Sequence, residues 1–160
     1  MGIISSIFRN VLGKPGASDF RDSAEHFVTV LRELGIELTF DQDELRYADD
    51  LAERLKGHNE YRDALGCWLG EVLVRNFHGE WVPGHALGPA VRIKTAANGS
   101  PQSGSQSQGA QAVRHLFPLG WVYRRADGGP SESIAVKLHR ELGFPDPSHL
   151  GRFTDSGERA

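Results

Sequence analysis

Apolar residues recur at three- and four-residue intervals through the first half of this chain, then alternate with polar ones, then return to helical spacing. That change of period predicts helices, a small sheet, and helices again. At the start, Ile3, Ile4, Ile7, Phe8, Val11 and Leu12 gather on one side of a helical wheel. Ser5, Ser6, Arg9, Asn10 and Lys14 take the other side, and Pro15-Gly16 ends the segment. Such an amphipathic helix over residues 1–16 suits three roles: lying on a membrane surface, docking on a partner, or folding onto its own domain. A second helix is expected over residues 19–34, with Phe20, Ala24, Phe27, Val28, Leu31 and Leu34 facing the core, Ser18 as N-cap and Gly35 as the stop. The next begins near Asp41, whose side chain with Glu44 forms a capping-box pattern. Leu45, Ala48, Leu51, Ala52 and Leu55 carry it to Gly57, and Asp43, Asp49, Asp50 and Glu53 form an exposed acidic face.

The helix predicted over residues 59–77 is apolar nearly all round, which marks it as the central core helix. It carries Gly66 and Gly70, each costing about 1 kcal/mol relative to alanine in a helix interior, so another backbone is expected to pack closely there. It also carries one acid, Glu71, where a charge is costly without a partner. Arginines of the C-terminal half, Arg124 or Arg125, are the expected partners in a structural ion pair.

Beyond His78-Gly79 the period becomes two. Strands are expected over residues 80–83 and 90–95, where Val91 and Ile93 alternate with Arg92 and Lys94. Residues 96–112, AANGSPQSGSQSQGAQA, have no large apolar residue and no charge. They are read as a disordered insertion at the tip of a hairpin that returns along residues 112–117. Pro118 opens a short helix, Asp127-Gly128-Gly129-Pro130 breaks it, and Ser131 is the expected cap of a last helix packed through Ile134, Ala135, Leu138 and Leu142. Residues 146–160 read as a flexible tail. The fold class is therefore α+β: a helical N-terminal half, a small antiparallel sheet with a disordered hairpin insertion, and C-terminal helices, in one domain over residues 17–145.

Composition narrows the chemistry. The formal charge of −3 argues against a general nucleic-acid binder. Residues 1–74 hold 8 basic against 14 acidic side chains, and residues 75–160 hold 10 against 7, so the halves differ in sign. Of the 18 basic residues 14 are arginine, a bias that fits a GC-rich bacterial genome. Cys67 is the only cysteine, which excludes an internal disulfide and a cysteine-cluster zinc site and fits a reducing cytoplasm. Cys67, Glu71 and His78 share one stripe of the core helix at about 100° per residue, and His85 follows in the next loop. These four are the candidates for a metal site, but their spacing matches no zinc signature. Glu71 is the candidate for a general base, with His78 or His85 beside it. Trp68, Trp81 and Trp121 sit in apolar settings and read as core. No phosphate loop, nucleophile elbow or zincin motif is present, and no cofactor is expected.

Gly70, Glu71, Gly79 and Trp81, followed by Pro118, Val122, Arg125, Asp127, Gly128, Ser133 and Ile134, form a longer pattern. It resembles a family of bacterial domains of unknown function with a Gly-Glu core-helix motif and a later Arg-x-Asp-Gly and Ser-Ile helix start. The resemblance covers about residues 60–142. It departs at Glu132, where the family pattern has aspartate, and at the low-complexity insertion. It implies an α+β fold and one shared arrangement containing Glu71 and Arg125, and it carries no activity. The expected function is that of a cytoplasmic, non-enzymatic interaction or adaptor module, of immunity type or similar. An unknown protein is its partner, and the N-terminal helix offers a contact to the inner membrane surface. The alternative is a small enzyme or metal-binding protein using Glu71.

Overall fold

Helix α1, Ala17–Glu33, buries Phe20, Ser23, Ala24, Phe27, Val28 and Leu31, the three- and four-residue spacing of a single core face. Its N-cap is Gly16, not Ser18. The Asp19 carboxylate reaches back to accept the Gly16 N–H at 2.6 Å, which places the start two residues earlier and sets an acid at the positive end of the helix. Gly35 ends it with φ of 80°, a backbone state that side chains disfavour.

A computed structural model describes residues 16–96, 111–144 and 151–153. The expected N-terminal helix through Ile3, Ile4, Ile7, Phe8, Val11 and Leu12 lies outside the described residues, as does nearly all of the low-complexity insertion.

After α1 the chain does not make one helix from Asp41. It forms a 3-10 segment, Gln42–Tyr47, and then α2, Ala48–Arg54. The expected capping box is absent. The Asp41 side chain makes no cap bond, and Glu44 is buried. The tighter 3-10 winding turns Glu44, Leu45 and Tyr47 together into the protein.

Helix α3, Asn59–Asn76, is buried nearly all round from Arg62 to Leu73 and is the axis of the core. It packs against α1 on one side and against α4, Pro118–Gly128, on the other. The close approach expected at its glycines is present, with a different neighbour at each. A Cβ on Gly66 would stand 2.7 Å from the Leu119 Cα of α4, and one on Gly70 would enter the Trp81 ring. Trp68, Trp81 and Trp121 are all core residues, as expected.

The sheet is antiparallel in the order β1-β2-β3: Glu80–Val82, Ala90–Ala96 and Gln111–Leu116. Trp81 pairs with Val91 and Val91 with Leu116, so one face lies on the core. The other carries Glu80, Arg92, Lys94, Val113 and His115 outward.

Pro118 opens α4 as expected. The last helix, α5, is Ile134–Leu142, and Ser133 caps it rather than Ser131: its hydroxyl accepts the Val136 N–H at 3.2 Å. Residues 129–132 make a further 3-10 turn, in which the Ser131 hydroxyl donates to the Gly128 carbonyl at 3.1 Å. Of the expected tail over residues 146–160, only residues 151–153 are described. Phe153 returns to the body of the protein and is buried against Tyr47. Among the described residues no helix is long and apolar enough to cross a membrane.

Candidate functional site

Glu71 sits on the face of α3 turned toward α1 and β1, and only 1% of its side chain is exposed. Oε1 accepts from Arg75 Nε at 2.9 Å, one helical turn on, and lies 3.3 Å from Arg21 Nε of α1. Oε2 accepts from Trp81 Nε1 at 3.3 Å. The partners are held in turn. Arg75 also donates to Glu25 at 2.8 Å and lies over the Phe40 ring, while Trp81 stacks on Phe20 with ring centroids 4.5 Å apart. Gly70 makes this possible, because its missing side chain is the space the indole occupies.

The expected pairing of Glu71 with Arg124 or Arg125 is therefore wrong. Arg125 bonds Asp49 at 2.7 Å and Glu53 at 2.8 Å, and Arg124 lies 3.9 Å from Glu132. Helix α4 packs along the Gly66 side of α3, while Glu71 looks the other way, so the C-terminal arginines meet a different acid. The true partner was written in the chain as a Glu-Arg pair four residues apart, the spacing that places the two on one helix face.

The four candidate metal ligands are not brought together. Cys67 is fully buried, and burial above all, helped by Asp63 and Glu71, pushes its thiol up to about 12. It stays protonated near neutrality and is neither a ligand nor a nucleophile there. Stability held by the neutral thiol is intact below its ordinary 9.0 and is lost as pH climbs from there toward 12, because only the unfolded chain releases the proton. His78 takes a left-handed backbone state, φ 51°, where α3 ends. His85 lies in the β1–β2 turn against the His115 and Phe117 rings, both at 5.0 Å, and its Nδ1 accepts the Leu87 N–H at 3.2 Å. Among the described residues no three His, Cys, Asp or Glu side chains stand together as a metal site.

A second buried acid carries more of the architecture than Glu71. Asp49, on α2, was expected on an exposed face and is 3% exposed. Oδ1 accepts from Arg125 Nε at 2.7 Å and from the Ile134 N–H at 3.0 Å. Oδ2 accepts from the Ser133 hydroxyl and the Ala135 N–H, both at 3.0 Å. One carboxylate thus neutralises an arginine of α4 and satisfies the free N–H groups at the start of α5. A signal for this existed. On an ordinary wheel Asp49 lies about 40° from Leu45 and about 60° from Ala52, inside the apolar stripe. Arg125, Ser133 and Ile134 meet at this point.

A third cluster joins the start of α3 to α4. Tyr123 donates to Asp63 Oδ1 at 3.0 Å, and Arg62 bonds Asp127 at 3.0 Å while lying over the Tyr123 ring. Burial raises the Asp63 carboxyl; burial, then the Asp63 charge, pushes the Tyr123 phenol up to about 12, so the phenol remains a donor.

No protein-family model, no curated protein and no solved structure matches the chain.

Proposed function

We propose that this chain is a bacterial, cytoplasmic, non-enzymatic protein-interaction or adaptor module, with its N-terminal amphipathic segment as a contact to the inner membrane surface. One observation carries the reading: Glu71, the residue with the best sequence claim to acid–base work, is closed on both oxygens by Arg75, Arg21 and Trp81. A general base must reach a substrate proton with a free lone pair, and this carboxylate is spent on holding α1, α3 and β1 together. The Cys67 thiol, buried and protonated, supplies no nucleophile in its place.

The experiment is a paired one on the full chain and its Glu71→Gln variant. Each is used as bait in extract of the host, and each is screened against hydrolase and transferase substrates. The expected result is the same partner, in near-stoichiometric yield, on both baits and no turnover by either. A turnover that the wild-type chain shows and the folded variant loses by orders of magnitude would sink the reading. The membrane arm is read from sedimentation with vesicles of anionic phospholipid. Removing residues 1–14 is expected to abolish pelleting without lowering the melting temperature; a drop of many degrees would make that segment core and end the anchor idea.

A further inference from the structure

Residues 151–153 lie on the 3-10 segment and α2 as a bound peptide lies on its receptor. The Phe153 ring is 3% exposed and lies against Tyr47, tilted by 31° with centroids 4.6 Å apart. Its amide N–H donates to Asp50 Oδ2 at 2.9 Å, and its carbonyl accepts from Arg54 Nη2. Asp50 and Arg54 also bond each other at 2.9 Å, one turn apart on α2. A single ion pair thereby holds both main-chain polar atoms of one residue, the kind of grip that reads an extended backbone. Two residues earlier, the Gly151 N–H donates to the Arg46 carbonyl at 3.2 Å, and a Cβ there would stand 2.5 Å from Tyr47 Cε1. The Arg152 side chain between them is exposed. The groove therefore specifies no side chain at the first position, any at the second and an aromatic ring at the third.

We propose that the groove of Arg46, Tyr47, Asp50 and Arg54 is an exchangeable docking site for Gly-x-Phe peptides, with the chain's own tail as resident ligand. A partner segment of the same pattern is the ligand it is built to admit. Vacating the groove uncovers the Tyr47 ring, which Phe153 covers as part of the core. Asp50 and Arg54 stay paired with each other when the groove is vacated, so no buried charge is orphaned. A tethered ligand competes at high effective concentration, so the tail sets a threshold that a partner must exceed. The proposal draws its biological purpose from the interaction-module reading and its geometry from these contacts alone.

The test uses a fluorescein-labelled peptide of residues 149–156, HLGRFTDS, titrated into the full chain and into its Phe153→Ala and Gly151→Ala variants. Phe153→Ala removes the resident ring, and Gly151→Ala sets a methyl against Tyr47 Cε1, loosening the tail while keeping the ring. Both variants are expected to bind the peptide at least tenfold more tightly than the wild-type chain, and the same peptide with its phenylalanine changed to alanine is expected to lose that binding. Equal binding by wild type and variants, or equal binding of the alanine peptide, overturns the proposal. So does loss of folding in both variants, since a segment the fold cannot release is core and not a ligand. These outcomes bear on the groove, while the Glu71→Gln comparison bears on the function, so the two can fail separately.

Discussion

Asp49→Ala is expected to cost about 3–5 kcal/mol of folding free energy, the range for removing one member of a buried hydrogen-bonded charge pair. The loss comes from what stays behind. Arg125, with 11% of its side chain exposed, keeps only Glu53 as an acid partner. The Ile134 and Ala135 N–H groups at the start of α5 lose their acceptor inside the protein, as does the Ser133 hydroxyl. Each orphaned group costs its desolvation, so the sum exceeds the worth of any one bond. Asp49→Asn keeps the shape and one acceptor oxygen, and is expected to cost about half as much by the same argument. The measurement is the urea midpoint at unchanged slope. A loss below about 1 kcal/mol for the alanine variant would show that Arg125 and α5 find other partners, and Asp49 would not be the joint between the halves.

Glu71→Ala is expected to be the next most costly, at about 2–3 kcal/mol. It falls below Asp49→Ala because its arginines have an exit: Arg21 is 59% exposed and Arg75 37%, so both can turn to water. Trp81 cannot, because its indole is stacked on Phe20 and pressed against Gly70, and its N–H would lose its acceptor. The variant should therefore show a lower urea midpoint and a change in tryptophan emission together. Unchanged stability would mean that Arg75 and Trp81 are satisfied elsewhere, and that Glu71 is free for a role its geometry does not suggest.

Much of the fold was legible from periodicity. The switch from helical to alternating spacing near Gly79 places the sheet, and the pairing of residues 91–96 with 111–116 follows, to within a residue, from the length and composition of the insertion between them. The boundaries that slipped did so where a local polar group chose among competing partners. Asp19 took the Gly16 N–H and moved the start of α1; Ser131 took the Gly128 carbonyl and left the cap of α5 to Ser133. The candidate site was legible in half. That Glu71 needs a partner follows from an acid in an apolar helix, and Arg75 stands one turn on; that Arg125 is not a partner depends on which flank of α3 receives α4.

By itself, the sequence determined the class of fold, the central helix, the close approach at Gly66 and Gly70, and the existence of one buried acid in α3. Those follow from short-range facts: period, the cost of glycine in a helix, and the cost of an unpaired charge. Only the tertiary structure decided the pairings. Asp49 meets Arg125 and Ser133, Glu71 meets Arg21, and Phe153 meets Tyr47, all across long stretches of chain. Beyond one helical turn an arginine carries no mark of which acid it will reach, because that is set by how the helices rotate and slide against one another in the packed core.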